Sequence, residues 1–387
     1  MLALLLSCTN EPAPVGEEQP TEEAPCARRG WYLDADGDGL GVGHWEDDWV
    51  SWSCEPPSET GYATSFGDCY DADARILTDG LFLETGGELE DLSEVATGPE
   101  PLVLTLDEEA LLVVCDGTWL LSLVSTAPLT IEGEDMREAR LSGGGQSRVL
   151  TLHAPAVLRN VHLTQGYAED GGALWTDSDL FAEGLRITES FATGSGGGLF
   201  QEGADALLDL QWAGALFCSA GISGGGMALE GTGVLRSSRL SYNYAPRGGA
   251  MHLSGDGSTH VDFSEVTANE AGLGGGALVS AGHELSLVDG SALSMNTAVV
   301  GGGVAVEDTG RFVCSDSRIQ QNNATEAGGA SLEPVDGIVS LSSSGCDWGE
   351  TSYWDNEPTD VGLGATSYVA TNGEWSCTGS NCELETE

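Results

Sequence analysis

The strongest constraint in this sequence is a phrase that recurs along its middle: two glycines, a small residue, then an apolar one, first as Gly171-Gly172-Ala173-Leu174. Its first glycine returns at Gly196, Gly224, Gly248, Gly275, Gly301 and Gly328, giving spacings of 25, 28, 24, 27, 26 and 27 residues. A second phrase precedes each one, an apolar residue followed three positions later by a small or amide residue. The pairs are Leu163/Gly166, Ile187/Ser190, Leu216/Ser219, Leu240/Asn243, Val266/Asn269, Leu293/Asn296 and Ile319/Asn322. Five or six residues always separate the later member from the glycine pair. A period of this size means units that bury their apolar residues by stacking on one another.

Each unit contains short alternating runs, such as Val261-Asp262-Phe263-Ser264 and Val304-Ala305-Val306, broken by Gly, Ser, Asn or Asp. That is strand and turn chemistry. No unit offers a helical stretch of ten to twelve residues, which excludes the leucine-rich, ankyrin and tetratricopeptide architectures. Three short strands and three turns per unit make one coil of a parallel β-helix, each coil pairing with the next at ~4.8 Å. The glycine pairs suit a turn where backbones pass closely or φ is positive. Asn243, Asn269, Asn296 and Asn322 share one slot. They are expected to stack as an amide ladder rather than to hold a ligand.

The repeats over residues 160 to 335 resemble the Gly-Gly-Ala-apolar repeats of polymorphic outer-membrane proteins, whose units also carry an upstream Asn. The resemblance implies an all-β chain, a right-handed parallel β-helix of single-stranded solenoid type, displayed at a bacterial surface. Those proteins end in a membrane β-barrel. Here the stretch from Cys377 to Glu387 lacks alternating ten-residue strands, so attachment is expected from elsewhere.

Residues 1 to 8 supply a candidate anchor. Leu5-Leu6-Ser7-Cys8 resembles a bacterial lipobox, in which the cysteine is diacylated after cleavage; the apolar run is too short to span a bilayer and lacks a positive flank. The resemblance implies lipidation at Cys8, with Thr9 favouring the outer membrane; secretion is the alternative location. Residues 9 to 27, rich in Glu, Pro and Thr, read as a solvated tether. Thirteen basic residues, all Arg, face 62 acidic ones, a net charge of -49. Such a surface repels nucleic acid and anionic lipid and attracts divalent cations.

The clearest chemistry lies at residues 28 to 80. Asp34-Ala35-Asp36-Gly37-Asp38-Gly39 places carboxylates at alternate positions with glycines that let a loop wrap a hard cation. Trp45 stands where an EF-hand needs its bidentate Glu, so this is no EF-hand. Asp68, Asp71 and Asp73 repeat the spacing. Residues 31 to 73 resemble the metal-binding repeats of bacterial surface proteins, akin to thrombospondin type 3 calcium repeats, through Trp31-Tyr32, the Asp core, Cys54, Pro57, Gly61-Tyr62 and Asp68-Cys69. Tyr70 departs from that pattern, where an acid is usual. The resemblance implies Ca²⁺ held by Asp34, Asp36, Asp38, Asp68, Asp71 and Asp73, and a Cys54–Cys69 disulfide. The ion would staple a module that has little core of its own. Trp31, Trp45, Trp49, Trp52, Tyr62 and Phe66 crowd this segment and read as its miniature core rather than a sugar platform.

Residues 81 to 345 read as the β-helix, irregular before residue 160, and residues 346 to 387 as a C-terminal cap that closes the stack. Ten cysteines suit disulfides in an exported chain. Cys377 and Cys382 pair by closeness; with Cys8 lipidated, an odd number remains.

β-Helices also host pectate lyases and polygalacturonases, so catalysis must be judged on sites. There is no Lys, no Gly-His-Gly segment, and Arg159, Arg186, Arg236, Arg239, Arg247, Arg311 and Arg318 read as scattered. Gly221-Ile222-Ser223-Gly224-Gly225 matches Gly-x-Ser-x-Gly without the strand-to-helix setting of a nucleophile elbow. His44, His153, His162, His252, His260 and His283 show no metal spacing. No catalytic or cofactor-binding residue is assigned. The expectation is a monomeric, lipid-anchored, calcium-binding surface protein whose rod serves adhesion or structural contact with a protein or glycan. A β-helix polysaccharide lyase or hydrolase is the alternative.

Overall fold

The computed structural model describes residues 29–37, 40–41, 51–53, 61–63, 65–66, 69–70, 72–76, 80–333, 340–349, 354–363, 366–368, 374–378 and 381–385. The chain divides into two compact units, Met1–Ala74 and Arg75–Glu387. In the first, Arg29–Leu33 pairs antiparallel with both Ser51–Ser53 and Tyr62–Ala63, and Leu40–Gly41 pairs parallel with Ser65–Phe66. Trp31 and Tyr32 are buried, and Trp31 Nε1 donates to the Ser53 carbonyl at 3.3 Å.

The second unit is a parallel β-solenoid of about nine turns. One turn shows the design. Met251–Leu253 lies on face I, Ser258–Asp262 on face II, Glu265–Thr267 on face III, and Glu270–Leu273 on the short face IV. Ala277–Val279 then starts the next turn and pairs with Met251–Leu253. Strand alternation aims Val261 and Val266 inward, where they meet equivalents from neighbouring turns, such as Leu287 and Leu293, in one continuous apolar core. Face II continues over fourteen strands and face IV over seven. Faces I and III are joined only because the long strand Gly117–Ser125 belongs to both: its first half pairs with Ala139–Ser142 and its second with Leu102–Leu106 and Leu150–Leu152. That junction closes the hydrogen-bonded network without making a barrel, since every regular turn stacks along the rod.

Both corners around face III are made by a residue with positive φ followed by one that points in: apolar at the first corner of the early turns (Val161, Leu185, Ala213), small and polar in the later ones. In the turn described these are Phe263 (φ 44°) with Ser264 and Ala268 (φ 57°) with Asn269. The buried polar groups satisfy the backbone of the neighbouring turn. Cys218 N–H donates to Asn243 Oδ1 at 3.0 Å, Asn243 N–H to Asn269 Oδ1 at 2.9 Å, Asn269 to Asn296 at 3.0 Å, and Asn296 to Asn322 at 3.0 Å. Asn322 donates in turn to Asn356 Oδ1 at 3.1 Å, extending the ladder beyond the repeats. At the other corner Ser238, Ser264 and Ser291 form the same kind of chain.

The stacking register shifts three of the sequence assignments by one residue. Met251, Ala277, Val304 and Ala330 are aligned, so the positive-φ glycine of the fifth unit is Gly274 (φ 68°), not Gly275, and in the last unit Ala327 (φ 51°), not Gly328, takes that place. A Cβ on Gly275 would stand 2.3 Å from the carbonyl oxygen of Gly302 one turn away, which is why the second glycine of the phrase is needed. Likewise Ile187 aligns with Ala215, so Ala215/Cys218 replaces Leu216/Ser219 as the inward pair. The larger Leu216 points outward. Ala215 leaves a small apolar void, about 10 Å³, among Ile187, Leu210, Met227, Leu235 and Leu240.

Antiparallel strands terminate the stack at both ends. Leu81–Thr85 pairs with Glu88–Asp91 and with Ala110–Val114, followed by the short helix Ser93–Ala96. At the other end Glu374–Thr378 and Asn381–Glu385 form a hairpin on Ser340–Ser344. Reversed pairing of this kind stops a parallel edge from recruiting further strands. Disulfides join Cys314 to Cys346 and Cys377 to Cys382, while Cys218 is a free buried thiol within the amide ladder. Burial pushes its pKa up to about 12, which leaves it protonated and inert.

Candidate cation loop and binding face

In the first unit Asp34 is buried, and its Oδ1 accepts the Gly37 N–H at 2.7 Å, curling the chain back on itself where Gly37 takes φ 80°. The Asp34 N–H donates to the Gly61 carbonyl at 3.1 Å, and Asp73 N–H to the Tyr70 carbonyl at 3.1 Å. Asp36 is half-buried within the same turn. Asp38, Asp68 and Asp71 lie outside the described residues, as do Cys8 and Cys54; Cys69 is disulfide-bonded. Among the described residues no three acids, cysteines or histidines converge as a metal set. The buried, loop-forming carboxylate of Asp34 is nonetheless the kind of oxygen donor a hard cation takes.

The second arrangement was not legible in the sequence. The register of face III places Arg140, His162, Arg186, Gly214, Arg239, Glu265, Ala292 and Arg318 in one outward column. Arginines that read as scattered therefore align. On face II the arginines are neutralised by a neighbouring turn: Arg159 with Glu132 at 2.7 Å, Arg236 with Asp209 at 2.6 Å, and Arg311 with Glu284 at 3.2 Å. Among the described residues no carboxylate lies within 4.0 Å of Arg186 on face III, and its buried Nε has no acceptor there. Arg239 reaches Glu265 only at 3.8 Å, too long for a hydrogen bond. Between them stands Gly214, with exposed Trp212 and Phe217 at the two corners of the same turn. His162 Nε2 lies 2.7 Å from Thr188 Oγ1. Burial, then Arg186 and Arg140, lower its pKa to about 4, so it is neutral at neutral pH.

Face I carries a hydroxyl and histidine column. His252 Nδ1 is 2.8 Å from Ser223 Oγ and its Nε2 3.3 Å from Ser280 Oγ; Ser223 Oγ is 2.9 Å from Ser195 Oγ. This brings the serine of Gly221-Ile222-Ser223-Gly224-Gly225 against a histidine, which its position 29 residues away concealed. The pair lacks the parts of an acyl-transfer site. Ser223 is buried, no carboxylate orients His252, and the Gly224 and Gly225 amides that would face an oxyanion donate to Arg247 and Gly248 carbonyls at 2.9 and 3.1 Å. Burial, Arg247 and His283 lower the His252 pKa to about 4. The column knits turns together.

Exposed aromatics run beside face III. Tyr167 stacks on Phe191 at 5.8 Å and Phe217 on Tyr242 at 5.1 Å, rings nearly parallel in the second pair. Ring faces spent on one another are not free for a ligand, so these pairs act chiefly as struts between turns.

These features define the molecule as a parallel β-helix solenoid protein with a small β unit before it. No protein-family model, curated protein or solved structure matches the chain.

Proposed function

We propose that this protein is a lipid-anchored surface rod: Cys8 tethers it, the aspartate loop binds Ca²⁺, and the solenoid presents a face for adhesion or structural contact. The observation that carries this reading is the regular rod itself. Its turns use their buried polar groups to satisfy one another, and this leaves outward columns as the place where a partner would be met. In the loop, Asp34, Asp36 and Asp38, with Asp68, Asp71 and Asp73, would supply oxygen ligands, and the ion would neutralise a locally dense set of acids. Calorimetry of the full chain with Ca²⁺, beside an Asp36→Ala/Asp38→Ala variant, tests it. Binding in the range of extracellular modules, ~10⁻⁴–10⁻³ M, that is lost in the variant supports the reading. Absent binding, or binding the variant keeps, overturns the calcium assignment.

A further inference from the structure

In a chain with 13 basic residues against 62 acidic ones, an arginine without an acid partner is a rare resource. On face III, among the described residues, Arg186 and Arg318 have no carboxylate partner and Arg239 has only a distant one; Arg186 and Arg239 lie on the turns either side of Gly214. Two turns separate them, about 9.6 Å at ~4.8 Å per turn. Gly214, with no side chain of its own, separates them. Leu216 leans over it, its Cδ1 3.0 Å from where a Cβ would stand, and provides an apolar floor. Trp212 (52% exposed) and Phe217 (55% exposed) rise at opposite corners of that turn. Thr164 and Thr188 hydroxyls, bonded to one another at 3.0 Å, line the same face alongside.

We propose that the outer side of face III binds an acidic saccharide, with a ring seated over Gly214 against Trp212 and its carboxylates held by Arg186 and Arg239. Arginine forks match carboxylates, and an indole face matches the apolar face of a sugar ring. The net charge of -49 argues against a densely charged polymer such as nucleic acid, which would feel the acids nearby. A saccharide carries its charges sparsely, and beyond ~8–10 Å the protein's own acids are screened. The proposal rests on reading the rod as a binding face, but not on calcium.

The test is calorimetry of the full chain with a short uronate oligomer in EDTA at ~0.15 M salt, where the chain's distant acids are screened, so that no metal bridges protein and sugar and failure of the calcium assignment leaves the result intact. The oligomer should bind and its methyl ester should not. Arg186→Gln and Arg239→Gln should each weaken binding about tenfold or more, the value of one charge-assisted hydrogen bond, and Arg186→Lys less. Trp212→Asn, a residue that Asn160 shows is accepted at the same corner with φ 50°, should weaken it about three- to tenfold. Arg236→Gln, on face II and paired with Asp209, should change nothing. The proposal is overturned if the oligomer does not bind, if the ester or an acidic peptide binds equally well, or if Arg236→Gln matches the face III variants.

Discussion

Replacing Asn269 by alanine probes the amide ladder where it is most connected. Asn269 Nδ2 donates to the Leu240 carbonyl at 3.0 Å and to Asn296 Oδ1 at 2.9 Å; its Oδ1 accepts the Asn243 N–H at 2.9 Å and Asn243 Nδ2 at 3.0 Å. Alanine strips partners from two buried donors on Asn243 and from the Leu240 carbonyl, in a corner where Asn243 and Asn269 are both buried. Each orphaned group costs about 1–3 kcal/mol, so a loss of roughly 3–5 kcal/mol is expected. Serine should be milder. Ser190 occupies the equivalent slot, accepting the Gly166 N–H at 3.0 Å and donating to the Thr188 carbonyl at 2.9 Å, so Asn269→Ser keeps one acceptor and should cost about 1–2 kcal/mol. Urea unfolding followed by far-UV dichroism, with the slope m held constant, reads both values. A loss below ~1 kcal/mol for alanine, or serine as damaging as alanine, refutes the claim that the ladder holds the turns in register.

Ala215→Val should fill part of the void beneath Gly214 and raise stability by about 1 kcal/mol, since two buried carbons gain contact without a polar group; denaturation showing a loss would mean the site is already tightly packed. His162 and His252 have folded pKa values of about 4 against an ordinary 6.5, so the unfolded chain binds more protons between those values and stability falls as pH drops from 6.5 to 4. Carboxylates titrate in part of that window too. A His162→Gln/His252→Gln variant should therefore show a flatter pH dependence than the parent, by on the order of 3 kcal/mol per ring and about 6 kcal/mol for the pair across the window. Identical slopes would mean that both rings are charged in the fold.

The solenoid was legible because its cause is local: an inward apolar residue, a small polar residue at the corner, and glycines where turns pass closely, each at a near-constant interval. What the sequence hid is what depends on register. A run of three glycines does not say which one takes positive φ, and a neighbouring Ala215 and Leu216 invite choosing the larger as the core residue, whereas the corner turns it outward. The arginine column was hidden for the same reason. Arg186 and Gly214 are 28 residues apart and Gly214 and Arg239 only 25, because the loops between faces I and II vary in length; no fixed spacing reveals that they align. Asn356 follows Asn322 by 34 residues and so fell outside the repeat, although it completes the ladder and donates to the Ile319 and Trp348 carbonyls at 2.8 Å.

Every functional statement about face III depends on that register, and a pair of cysteines measures it. Glu265 and Ala292 face outward as direct partners on adjacent turns, at a separation of ~4.8 Å, within the range that a disulfide spans; Glu265 and Ser294 are two residues out of step, beyond ~7 Å. Under mild oxidation with peptide mapping, Glu265→Cys with Ala292→Cys should form a new bridge in nearly all molecules, and Glu265→Cys with Ser294→Cys should not. The reverse outcome, or equal bridging in both, would contradict the stacked register and the arginine column with it.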